Sequence, residues 1–153
     1  MRTIKFKAKR INNGDWVVGS LAIYGKRAYI LPEENIGQPL AVFEKVDPAT
    51  VCQFTDLTDK NGKEVYEGDV LRGEMTPYYS GDGREYFYDV YDVVKWNEDT
   101  GGFCMVMTKN PDVKSDDCFF LRGVDLNVHF SRMKMFEVVG SIYDPEWKNK
   151  LDI

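Results

Sequence analysis

The sequence predicts a mainly antiparallel β protein that ends in one short helix, and three observations carry the prediction. Short runs rich in aromatic and β-branched residues recur along the 153-residue chain. Glycine- and asparagine-rich turn signals separate them at short intervals. Helical periodicity is nearly absent until Asp144-Pro145-Glu146-Trp147, where Asp at an N-cap and Pro at the first helical position open a short C-terminal helix.

The first strand follows from alternation. Ile4, Phe6 and Ala8 fall on one side of an extended segment, and Lys5, Lys7 and Lys9 on the other. Asn12-Asn13-Gly14-Asp15 is a hairpin signal, because Asn-Gly accepts the positive φ values of a type I′ turn. Trp16 to Tyr24 reads as the returning strand, and Gly25-Lys26 turns the chain into Arg27 to Leu31. Pro32 to Pro39 reads as loop, followed by a short strand over Leu40 to Phe43. Asp47-Pro48-Ala49-Thr50 resembles a single helical turn before Val51 to Thr55. This loop-rich stretch is the expected seam between an N-terminal β lobe, residues 1–50, and the remainder, residues 51–153.

The second half opens with the most informative segment, Gln53 to Leu71. It packs an Asn61-Gly62 turn, a Glu67-Gly68-Asp69 turn and a strand entry at Val70-Leu71 into 19 residues. Tyr86 to Trp96 should form a long strand, Phe103 to Thr108 its return, and Phe136 to Tyr143 the last strand.

Composition narrows the function classes. A formal net charge of -5 disfavours sequence-independent nucleic-acid binding, which draws on an excess of Lys and Arg. Three widely spaced cysteines, none in a C-x-x-C pair, argue against a disulfide framework and for reduced thiols in a cytoplasmic protein. No uninterrupted apolar run approaches the ~20 residues of a membrane helix, so no membrane association is expected.

Chemical motifs fail one by one. Placing Gly62 at position 6 of a calcium loop puts Leu57 at position 1 and Gly68 at position 12, where carboxylates are required. His129, the single histidine, has no cysteine at zinc-finger spacing and reads as structural. Asp82, Glu85, Asp89 and Asp92 read as solvated loop and strand positions, since carboxylates without a placed partner specify no hydrolase. The sequence therefore predicts neither an enzyme nor a bound metal or cofactor.

Two features remain as a candidate interaction surface. The lysines Lys5, Lys7 and Lys9 either meet an acidic partner or a phosphate backbone, or protect an exposed strand from edge pairing. Tyr78, Tyr79, Tyr86 and Tyr88 belong to an aromatic cluster whose strand is apolar on both faces. One face should pack the core, and the other the N-terminal lobe, a second subunit or stacked bases.

The core Thr-Asp-Leu-Thr-Asp-Lys-Asn-Gly-Lys-Glu-Val-Tyr-Glu-Gly-Asp-Val of Gln53 to Leu71 closely resembles the signature segment of YopX proteins, small proteins encoded by bacterial phages and prophages. Arg2-Thr-Ile-Lys-Phe-Lys-Ala is similar to the N-terminal strand of that family, and Val139-Gly-Ser-Ile-Tyr-Asp-Pro to its C-terminal one. A tyrosine-rich insertion around Met75 to Tyr88 departs from the pattern. The resemblance implies an N-terminal antiparallel β lobe followed by an SH3-like small β-barrel, entered through Glu67-Gly68-Asp69-Val70. It implies no activity, cofactor or catalytic residue. The leading expectation is a non-enzymatic module that binds a host or phage protein or assembles with itself; the alternative is a nucleic-acid-binding small β-barrel.

Overall fold

The computed structural model describes residues 3–75, 88–108, 124–125 and 135–151. Among the described residues the architecture is mainly β, with two antiparallel sheets and one short C-terminal helix. The chain divides into two units, Met1–Asp56 and Leu57–Ile153.

In the first unit β1 (Phe6–Lys9), β2 (Trp16–Tyr24), β3 (Arg27–Pro32) and β4 (Glu44–Val46) pair in succession. β5 (Cys52–Thr58) lies on the other side of β1 and runs on past the unit boundary. Phe6 and Ala8 turn inward, as their alternation predicts, onto a core of Val17, Ala28, Ile30 and Val46. Ile4, expected beside them, precedes the strand and is exposed. Because β2 and β5 flank it, β1 is an inner strand. Edge protection is thus not the reason for its lysines.

A single bridge between Arg10 and Val46 ties the end of β1 to β4. Around it the Asp47 N–H donates to Lys9 O at 2.8 Å and the Ile11 N–H to Lys45 O at 3.2 Å. These bonds use backbone groups that an edge strand would otherwise leave unpaired.

Two local expectations are corrected. The β1–β2 connection is longer than a type I′ turn: Arg10 N–H donates to Asp15 O and Gly14 N–H to Arg10 O, with positive φ at Gly14 but not at Asn13. Asn13 instead spends its side chain on the turn, accepting from Asp15 N–H and donating to the Asp15 carboxylate. The strand expected over Leu40 to Phe43 begins at Glu44. Register explains the shift, since pairing Ala28 with Val46 puts Val46 in the core and leaves residues 40–43 outside the ladder. The helical turn at Pro48–Thr50 is present, with the Asp47 carboxylate accepting the Ala49 N–H.

In the second unit β5 continues to Thr58 and is followed by β6 (Glu64–Tyr66). A five-stranded sheet then forms from β7 (Asp69–Met75), β8 (Tyr88–Asn97), β9 (Gly102–Met107), β10 (Val124–Asp125) and β11 (Glu137–Ser141), in the order β10-β9-β8-β7-β11. Leu57, Val65, Leu71, Val94, Phe103, Met105 and Val138 form one core. Val70, Tyr91, Val93, Trp147 and Leu151 form another, in which α1 (Pro145–Lys150) supplies Trp147.

The apolar face of β8 that carries Tyr91 and Val93 is therefore covered by the C-terminal helix of its own unit, which corrects the expectation of an N-terminal lobe, a second subunit or stacked bases there. The Tyr91 and Trp147 ring centroids lie 5.4 Å apart, and burying a large side chain of this kind is worth on the order of 2–3 kcal/mol. A bulge between Val138 and Gly140 shapes β11 beneath the helix. Pro145 stands at the first helical position as expected, but the Asp144 carboxylate accepts the Ser141 N–H and does not cap the helix.

Candidate interaction site

The signature segment is built from backbone-directed carboxylates. Asp59, 5% exposed, opens the turn between β5 and β6. Its Oδ1 accepts the N–H of Asn61 at 2.8 Å and of Lys63 at 2.9 Å, while Oδ2 accepts the N–H of Val138 at 2.8 Å. The Lys60 N–H donates to Phe136 O at 2.9 Å beside it. One side chain thus shapes the turn and fastens it along β11. Asp69, fully buried, accepts the Tyr66 N–H at 2.9 Å and closes the second turn. Hydrogen bonds to charged acceptors of this kind contribute about 1.5–3 kcal/mol each.

The three candidate lysines lie on one face of the first sheet, threaded between aromatic rings. Lys7 and Lys9 place Nζ 4.7 and 5.2 Å from the Trp16 ring centroid. Lys5 Nζ is 5.0 Å from the Phe54 centroid and 3.1 Å from Glu33 Oε1. All three are half-buried, with their ammonium groups over ring faces. Tyr78, Tyr79 and Tyr86 lie outside the described residues, as do Asp82, Glu85 and His129. Tyr88 opens β8, its backbone opposite Met75.

A different surface stands out between β3 and β4. Ile36, Leu40, Val42 and Phe43 are all exposed large apolar residues, Leu40 at 82%. The loop carrying them is held in shape by its own hydrogen bonds. A 3-10 turn at Glu33–Asn35 starts it, with the Ile36 N–H donating to Glu33 O and the Gln38 N–H to Asn35 O. The Asn35 amide donates to Val42 O at 3.4 Å, drawing residues seven apart together. Apolar side chains on an internally bonded loop form a presented surface.

The family model for YopX proteins matches residues 5–146 of the chain. This protein belongs to the YopX family. No curated protein matches it.

The lysines of this YopX chain were legible as a group, but the apolar loop was not. Its Leu40-Ala-Val-Phe43 run reads as a strand because those residue types usually are one. The available signal was Gly37 and Pro39 immediately upstream, both poor neighbours for a buried strand. Asp92 corrects a second reading. Expected to be solvated, it is only 6% exposed on β8, between backbone partners Leu71 and Met107. Its Oδ1 is buried without a hydrogen-bond partner among the described residues, and burial pushes the carboxyl up to about 6. Asp89 does remain at the surface, 4.0 Å from Arg72. Arg72 also pairs with Glu137, whose carboxyl Lys60 and then Arg72 hold below the ordinary range.

Proposed function

We propose that this YopX protein is a non-enzymatic protein-binding module that docks a partner through the Ile36–Phe43 loop. The observation supporting the reading is the internally bonded loop that turns four large apolar side chains to solvent. Surfaces of that kind on small domains serve protein contacts, since water solvates them poorly. The carboxylates Asp59 and Asp69 of the signature are committed to backbone N–H groups, which favours a structural over a catalytic role for them. We further propose that the second unit is an SH3-like small barrel, for which the meander of β7, β8 and β9 is the support. The site of action proposed is the cytoplasm of a bacterium carrying the phage or prophage.

Nucleic-acid binding has one observation in its favour, the shared face of Lys5, Lys7 and Lys9. The same geometry argues for the protein reading, because those ammonium groups already rest on Trp16 and Phe54. Replacing Leu40 with a photocrosslinking residue in the full chain, inside the bacterial host, separates the two. Peptide adducts traced to position 40 are expected. Adducts to nucleic acid alone, or none above a control crosslinker at exposed Asp15, would overturn the reading.

A further inference from the structure

The tip of the β2–β3 hairpin is the chemical counterpart of the loop between β3 and β4. Ile23 and Tyr24 are exposed at the end of β2, Tyr24 at 79%. The two-residue turn Gly25-Lys26 follows, and Tyr24 pairs with Arg27 across it. Lys26 and Arg27 are exposed, and neither takes part in an ion pair among the described residues. The tip is thus apolar with two available cations.

The loop carries the opposite charge. From Glu33 to Glu44 the chain contains three glutamates and no lysine or arginine. Glu33 and Glu44 are taken by Lys5 and Arg10, but Glu34 is exposed and is in none of the described ion pairs. Tip and loop stand at opposite ends of the six-residue strand β3, which spans roughly 20 Å. One copy cannot bring its own tip onto its own loop across that strand.

We propose that the hairpin tip of one copy docks on the Ile36–Phe43 loop of a second copy, so that the chain assembles head to tail. Tyr24 and Ile23 would cover Leu40 and Val42, with Lys26 and Arg27 facing Glu34. The contact uses a different patch on each copy, so every added copy leaves one tip and one loop open. The inference rests on the reading of the loop as a protein-docking element, and commits that element to this chain as its partner.

Sedimentation velocity on the full chain tests it, using wild type, Leu40→Asp, Tyr24→Asp and an equimolar mixture of the two variants. Both substituted residues are more than three-quarters exposed, and matching thermal melts would establish that the variants fold. Wild type should grow past two copies with concentration. Each variant alone should lose association by about tenfold or more, because a central apolar anchor is gone. The mixture should form pairs and stop there, since one variant keeps its tip and the other its loop. A mixture that stays monomeric would point to a two-fold symmetric contact and overturn the proposal, as would variants that associate like wild type. Monomeric wild type together with crosslinks from position 40 to another protein would remove self-assembly and leave the docking role standing. Monomeric wild type without such crosslinks would remove both.

Discussion

Asp59 Oδ2 accepts the backbone N–H of Val138 at 2.8 Å, across 79 residues of sequence. The other oxygen of the same carboxylate holds the turn at Asn61 and Lys63. Asp59→Ala strips three buried or half-buried N–H groups of their acceptor and should cost about 3–5 kcal/mol in urea unfolding. Asp59→Asn keeps one acceptor oxygen for the turn but presents an amide donor to the Val138 N–H. It should cost roughly half as much, and hydrogen exchange at Val138 should rise more than at Asn61. Equal stability of Asp59→Ala and wild type would mean that the signature carboxylate does not hold the fold.

Gly140 and Trp147 make a second close pair. A Cβ at position 140 would lie 2.0 Å from Trp147 Nε1, which itself donates to Val139 O at 3.2 Å. Gly140→Ala must therefore push the indole out of its place over β11. Overpacking of this kind costs about 1–3 kcal/mol, and the lost hydrogen bond adds to it. The expected readout is a thermal midpoint lowered by several degrees with a change in near-ultraviolet circular dichroism. An unchanged spectrum would contradict the packing described.

Asp92 predicts a pH dependence whose sign follows from its burial. Its carboxyl titrates at about 6 in the folded chain against 3.8 ordinarily, so the folded state prefers the protonated form. Stability from this group is complete below pH 3.8 and is lost as pH rises through 6. At about 1.4 kcal/mol per pKa unit the loss amounts to about 3 kcal/mol by neutral pH. Asp92→Asn, which cannot ionise, should be more stable than wild type at pH 7 and show no gain near pH 4. Taking the difference between the two proteins cancels every other titrating group. A difference that stays constant from pH 4 to 7 would rule out Asp92 as the source.

The sequence was most readable where a local rule and the packing agree. Phe6 and Ala8 alternate with lysines because only one face of β1 meets the core. Pro145 starts its helix because its fixed φ suits the first helical position. Reading failed where two patterns share one residue composition. Leu40, Val42 and Phe43 have strand chemistry, but the register fixed at Val46 excludes them from the sheet. Asp92 looks like any polar strand residue, and nothing local announces that β7 and β9 flank its strand and that its side chain is buried. The resting place of Lys7 and Lys9 on Trp16 follows from the β1–β2 register, with Lys9 opposite Trp16. Such cross-strand placement is a tertiary fact that alternation alone does not contain.

Asp56 offers a test in which the usual strand preferences reverse. It lies inside β5 yet has φ of +69°, the sole non-glycine residue with positive φ among the described residues. Aspartate tolerates this region better than most side chains, and its Oδ1 accepts the Thr3 N–H at 3.4 Å. Valine ordinarily favours strands, but a β-branched side chain at this φ clashes with its own backbone. Asp56→Val should therefore destabilise by about 2 kcal/mol or more, despite an exposed position and a better strand former. Asp56→Gly should stay within about 1 kcal/mol of wild type, because relief of strain offsets the greater entropy of the unfolded chain. Chemical denaturation of the three proteins under one condition measures both differences. If valine proved neutral and glycine costly, the backbone would have to be extended at Asp56, and its positive φ would not exist in solution.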